Sequence, residues 1–151
     1  MTSLKSILKK KGYVRISLKT TKTNHLELKA KINGVKGRFI LDTGASNSCV
    51  GTDMTEKFQL ETQESKIKAA GAGASEMETS ESKHNSLKIG KWKFKKQHIV
   101  VFDLTHVNTA LENHGAKTVQ GILGADVLNK GKAVIDYKNK CLYLKKLVYK
   151  Y

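Results

Sequence analysis

The chain has 151 residues, a length that fits one compact domain with a sizeable core. Its apolar content is 39%, too high for wholesale disorder, and no apolar run approaches the ~18 residues of a membrane span. A formal charge of +15 raises nucleic-acid binding, yet arginine occurs only at Arg15 and Arg38. Arginine is the side chain that grips phosphate and guanine edges with a planar fork, and the lysines are spread over most segments, as on a solvated surface.

Residues 1–12 read as a basic N-terminal arm, with lysines but no apolar block long enough for a secretory signal. A cytoplasmic protein is the expectation, and an exported, trimmed precursor stays open. One domain is expected over residues 13–151, because no proline-rich linker or repeat divides the chain. Period-two alternation marks the first strands. Val14, Ile16 and Leu18 alternate with Arg15, Ser17 and Lys19, and Leu26, Leu28, Ala30 and Ile32 alternate with Glu27, Lys29 and Lys31. Asn33-Gly34 predicts a tight hairpin, since both residues tolerate positive φ. The strand from Val35 then ends in Phe39-Ile40-Leu41 and runs into Asp42-Thr43-Gly44-Ala45-Ser46.

A short strand is expected over Ser48 to Val50, then a helical turn near Asp53 with Glu56 completing a capping box. Ile67 to Ala70 leads into a small-residue tip, Gly71-Ala72-Gly73-Ala74-Ser75. Leu87 and Ile89, then Trp92 and Phe94 beyond a turn at Gly90-Lys91, form an alternating arm. Its Lys91 to Lys96 stretch interleaves aromatics with lysines, and alternation puts the rings on one face and most of the lysines on the other. His98 to Phe102 is an apolar strand. Thr105 to His114 is a short helix stopped at Gly115. Gly121-Ile122-Leu123-Gly124 reads as a buried strand whose glycines admit a close backbone. A helix over Ala125 to Lys130 and strands over Ala133 to Ile135 and Cys141 to Leu144 close a mainly β chain.

Cys49 and Cys141 lack metal-site spacing and read as reduced, buried thiols. His25, His84, His98, His106 and His114 are dispersed, and only the eight-residue spacing of His106 and His114 hints at a shared helical face; no metal or cofactor is expected. The informative stretch is the one around Asp42. Taken alone, Asp-Thr-Gly is an ordinary turn. Its apolar flanks argue instead for a buried carboxylate, which costs several kcal/mol, of order ~3–5, unless it is hydrogen-bonded or paired.

Leu41-Asp42-Thr43-Gly44-Ala45, followed by Ile122-Leu123-Gly124 and the helix from Ala125, resembles the retropepsin-like aspartic peptidases over roughly residues 25–145, a bacterial member being the expectation. The resemblance implies a closed, barrel-like β fold with two or three short helices. It implies Asp42 as the catalytic residue, Thr43, Gly44 and Ala45 as its supporting loop, and Gly71, Ala72, Gly73 and Ala74 as a flap over an extended peptide. Ile122, Leu123 and Gly124 are the second-motif strand. One chain offers one Asp-Thr-Gly, so a homodimer is implied, with polypeptide as substrate and neither nucleic acid nor membrane as partner. Two departures bear on the dimer and the subsites: Ala125 stands where many relatives carry arginine, and Ser46 where many carry an acidic residue. A silent peptide-binding dimer of the same fold and a lysine-rich nucleic-acid binder are the alternatives.

Overall fold

The computed structural model describes residues 3–64 and 79–147. In chain order these form α1 (Leu4–Lys10), β1 (Tyr13–Ser17), β2 (Lys19–Thr20), β3 (Leu26–Ile32), β4 (Val35–Leu41) and β5 (Cys49–Gly51). A 3-10 turn (Thr52–Met54), β6 (Gln63–Glu64), β7 (Ser80–Ile89), β8 (Trp92–Phe102) and α2 (Thr105–Asn113) follow. β9 (Gly121–Leu123), α3 (Ala125–Lys130), β10 (Val134–Asp136) and β11 (Cys141–Lys145) complete the chain.

The larger sheet runs β3-β4-β9-β5-β8-β7, and β7 pairs back onto β3, closing a six-stranded barrel. Short β2 and β6 extend its margins, while β1, β11 and β10 form a separate antiparallel sheet. The expected closed barrel with short helices is therefore the observed one. Alternation explains the inward set: Leu26, Leu28, Ala30 and Ile32 are all buried while Lys29 between them is exposed. At the hairpin, Asn33 and Gly34 have φ of 50° and 84°, the positive pair that a two-residue turn with the strands' own twist requires. Asn33 also fastens the hairpin to the barrel. Its Nδ2 donates to the Phe58 carbonyl (2.8 Å) and to Asn85 Oδ1 (3.0 Å), and its Oδ1 accepts from the Ser86 amide at 3.0 Å.

The arm expected at Trp92–Phe94 and the strand expected at His98–Phe102 are one continuous strand, β8. Trp92 is fully buried with its indole N–H donated to the Lys145 carbonyl at 2.9 Å, which ties the barrel to the smaller sheet. The helical turn expected near Asp53 is a 3-10 turn beginning at Thr52 without a side-chain cap. The chain there winds irregularly because Phe58 must reach the core, where its ring centroid lies 6.1 Å from that of Phe39. The strand expected at Ser48 starts one residue later, since Ser48 turns its side chain to the network described below. Ile67 to Ala70 falls outside the described residues.

Within the basic N-terminal segment, α1 is capped by Ser3, whose hydroxyl accepts from the Ser6 amide at 3.1 Å. Leu8 docks it on Cys141 and Tyr143 of β11. Both cysteines are free and buried. Among the described residues no helix is long and apolar enough to cross a membrane.

Candidate active site

β4 delivers Asp42 to the rim of the barrel. Its last three residues pair in parallel with β9, Phe39 with Gly121, Ile40 with Ile122 and Leu41 with Leu123. The ladder continues one step further, because the Asp42 amide donates to the Leu123 carbonyl at 2.9 Å. There the chain turns: the Ala45 amide donates to the Asp42 carbonyl at 3.2 Å, and the Gly44 amide donates to Asp42 Oδ1 at 2.9 Å.

One expectation needs correction. Asp42 is not buried: Asp42, Thr43 and Gly44 are exposed in the single chain and Ala45 is half-buried, whereas Ile122, Leu123 and Gly124 are buried. The apolar run does end in the core, at Leu41. One residue later the strand has left the barrel, and nothing among the described residues covers the loop. The carboxylate therefore keeps access to water on its outer side while its backbone is held from beneath.

That hold comes from β9 and the start of α3. The Ala125 amide donates to the Ala45 carbonyl at 2.7 Å. The approach is close enough that a Cβ on Gly124 would overlap the Ala45 carbonyl oxygen and lie 3.2 Å from the Ala45 Cβ. Gly121 has the same role at the start of β9, where a Cβ would collide with the Cys49 carbonyl oxygen of β5. The glycines at 121 and 124 are thus demanded by packing, as the sequence pattern predicts.

A polar network that the sequence did not disclose lies under the loop. Ser48 Oγ accepts from the buried Gly124 amide (2.9 Å) and donates to Asp126 Oδ1 (2.7 Å). The Asp126 carboxylate accepts three further bonds, from the Ser48 amide (3.1 Å), the Val127 amide (2.9 Å) and Gln97 Nε2 (3.0 Å). Gln97, fully buried on β8, passes the chain on by accepting from Lys130 Nζ at 3.1 Å. Burial lowers the Lys130 pKa, against the opposing pull of Asp126, and its ammonium stacks 4.1 Å from the Phe94 ring centroid. With this many donors the Asp126 carboxylate is satisfied as an anion. Its task is to pin three elements together. Cys49 lies next to it: burial pushes that thiol up to about 12, and the Asp126 and Asp42 carboxylates add to the effect.

α2 lies along the outside of β4. Leu111 packs on Ile40 and Val119, and Asn108 exchanges two bonds with the Val119 backbone, at 3.1 and 2.8 Å. The histidines are apart. His98 Nε2 meets Glu81 Oε2 at 2.7 Å, His25 Nδ1 meets the Thr23 hydroxyl, and His114 Nδ1 meets the Ala110 carbonyl beyond the last turn of α2. Among the described residues no group of three or more acidic, histidine or cysteine side chains is placed to hold a metal. Gly71, Ala72, Gly73 and Ala74 lie outside the described residues.

Comparison with solved structures finds the same fold. A retropepsin-like aspartic protease from Rickettsia conorii superposes with TM-score 0.58 at 24% identity, covering 89% of this chain and 91% of that one. The EIAV protease in complex with the inhibitor HBY-793 gives 0.55 at 20% identity, covering 74% and 92%. The retroviral protease-like domain of Ddi1 from Leishmania major gives 0.52 at 17% identity, covering 86% and 97%. No curated protein matches the chain at the sequence level. The family model described as aspartyl protease matches residues 28–127, a span that takes in both the Asp42 loop and the Ile122-Leu123-Gly124 strand, and the chain belongs to the aspartyl protease family.

Proposed function

We propose that the protein is an aspartic endopeptidase active as a homodimer, in which Asp42 of two chains forms the catalytic pair. The observation that carries this reading is the Asp42 loop itself. A carboxylate is presented at the chain surface, with its backbone tied to Leu123 and its Oδ1 to the Gly44 amide. Peptide hydrolysis by two carboxylates needs a second one within about 3 Å. Of the chain's other aspartates, Asp103 accepts from Thr105, Asp136 from Asn139 and Asp126 from four donors, and neither these nor Asp53 begins a second Asp-Thr-Gly. A two-fold axis beside the loop supplies the missing group, since symmetry sets each residue opposite its copy. Thr43, exposed in the single chain, is then available to brace the paired loops.

Two such carboxylates share one proton, a behaviour established for aspartic proteases as a class. The ionised Asp42 removes a proton from a water held between the pair, and that water's oxygen attacks the scissile carbonyl carbon. The protonated Asp42 donates to the carbonyl oxygen, giving a tetrahedral diol. Collapse of the diol returns one hydroxyl proton to the ionised Asp42 and breaks the C–N bond as the leaving nitrogen takes the proton of the other, so the pair again holds one proton. No acyl-enzyme forms. The apparent pKa values belong to the pair and not to either copy. In this reading Gly71 to Ala74 contact the substrate backbone.

The test is digestion of a mixed peptide pool by wild type and by Asp42→Asn, with sedimentation of both at micromolar concentration. Dimers in both, with cleavage lowered at least about a hundredfold in the variant, are expected. Equal cleavage by the two proteins removes Asp42 from the mechanism, and a strictly monomeric active enzyme removes the shared pair.

A further inference from the structure

The outer corner of the barrel formed by β3, β4 and β7 gathers positive charge with little to balance it. Strand register sets Lys29 opposite Arg38, Lys31 opposite Lys36, and Lys31 again opposite Lys88. Like charges directly opposite one another destabilise a sheet, and here they recur on three neighbouring strands. With Lys57 these side chains line a concavity of about 530 Å³ whose wall also includes Gly37 and Gly90. That volume falls within the roughly 300–1,000 Å³ typical of ligand sites, but its lining is cationic. Among the described residues no carboxylate lines it. Among the described residues only Arg38 of the six has an acidic side chain within ion-pair distance, Glu27 at 3.8 Å.

The chemistry of the cations narrows the occupant. The Arg38 guanidinium is held by the Thr118 carbonyl through Nε (3.2 Å) and Nη2 (3.1 Å), so its fork is engaged within the chain. What faces the cavity is a set of lysine ammoniums, compact charges that attract anions without reading planar bases. Lys29 and Lys31 point the same way from one strand, about 6.6 Å apart. Alternate side chains of an extended polypeptide repeat at that same interval, which lets successive acidic side chains meet successive lysines.

We propose that this cavity is an exosite for an acidic, extended segment of the polypeptide substrate. The inference rests on the peptidase reading and deepens it by naming a substrate class. Lys36 precedes Asp42 by six residues on β4, about 20 Å at the rise of an extended strand. The captured segment is therefore remote from the scissile bond, separated from it by at least about six extended residues.

The experiment takes a peptide that the enzyme cleaves and joins to it, through a flexible linker, a tail with glutamate at alternate positions or the same tail with glutamine. Wild type is expected to show a KM about tenfold lower for the glutamate form with unchanged kcat, the gain fading as salt is raised. Lys31→Glu/Lys36→Glu is expected to lose that preference while cutting the glutamine form as wild type does, and Lys31→Gln/Lys36→Gln to lose most of it. Equal KM for the two tails in wild type, or a preference that survives in the charge-reversed variant, overturns the proposal. If no peptide of a mixed pool is cut, the peptidase reading fails on its own, and anisotropy of the labelled glutamate tail then decides the cavity. Binding lost on charge reversal sustains the site, and equal binding by both proteins overturns it. Displacement of the tail by tripolyphosphate or a thymidine oligonucleotide of equal charge at a tenfold lower concentration overturns the choice of an acidic polypeptide.

Discussion

Ser48→Ala tests the structural account of the Asp42 loop most directly. The hydroxyl has two bonds in a buried setting, accepting from the Gly124 amide and donating to Asp126 Oδ1. Its removal leaves the Gly124 amide without an acceptor, at a cost of about 1–3 kcal/mol for an unsatisfied buried donor. It also takes away one charge-assisted bond to Asp126, of about 1.5–3 kcal/mol. Asp126 retains three donors, so the second loss is partly absorbed, and the sum comes to about 2–4 kcal/mol. The mutated side chain loses only one oxygen, so cavity formation adds little.

Urea denaturation at fixed protein concentration reads this loss, with concentration held constant because a dimer's apparent stability varies with it. A double-mutant cycle with Asp126→Asn should give a coupling of about 1–3 kcal/mol, since both substitutions disturb one network. Peptide turnover by Ser48→Ala should fall in kcat more than it rises in KM, because the loop presenting the carboxylate loosens while the substrate-facing surface is unchanged. A stability loss under about 0.5 kcal/mol, or strict additivity in the cycle, would refute the claim that Ser48 braces the loop from beneath.

Cys49 should resist thiol reagents in the native protein at pH 8, because burial holds its pKa near 12, and react fully once unfolded; rapid native labelling would show that the thiol is accessible. Glu81 should titrate below an ordinary glutamate, owing first to its bond with His98 and then to Gln63. A depressed folded-state pKa stabilises above the unfolded value of about 4.3 and the benefit is lost as pH falls through the folded value. In NMR titrations His98→Ala should bring Glu81 back toward the ordinary range; an unmoved titration would dismiss the pair. Asn33→Ala should cost about 2–4 kcal/mol in thermal or urea unfolding, since it breaks the turn's favoured positive φ and three side-chain bonds to β7 and Phe58. A loss below about 0.5 kcal/mol would show that the hairpin is held by its strands alone.

What the sequence disclosed was local. Asn33-Gly34 announces its turn because the required φ belongs to those two residues, and Ala125–Lys130 is bounded by glycines that mark a short helix from within. Alternation placed Leu26 to Ile32 correctly because a strand with one buried face repeats every two residues. The strand order could not be read in that way. β9 is three residues long, and its position between β4 and β5 depends on partners about 70–80 residues away. Ser48 and Asp126 are likewise 78 residues apart, and each alone is an unremarkable loop serine and an aspartate in a first helical turn. The arm expected over residues 1–12 contains a helix whose apolar spacing, Leu4, Ile7 and Leu8, spans too few turns to signal amphipathicity, and only Leu8 is buried. The exposure of Asp42 was missed for a different reason. The run Phe39-Ile40-Leu41 records that a strand enters the core but not where it leaves.

Under the proposed catalytic role of Asp42, the exposed carboxylate and the buried network beneath it answer one requirement. A general base has to meet water and substrate on one side, yet it must be held within a fraction of an ångström to act in concert with a twin. A carboxylate sunk in the core would be rigid but would neutralise itself by burial; one on a free loop would be charged but loose. Here the two demands are divided between residues. Asp42 keeps its outer face open; the Leu123 carbonyl holds its backbone, Ala125 holds Ala45, and Ser48 and Asp126 fix Gly124 and α3 behind them. Loss of Asp42 should therefore abolish turnover at little cost in stability, whereas loss of Ser48 should weaken both. A chain in which these effects were reversed would have its catalytic group elsewhere.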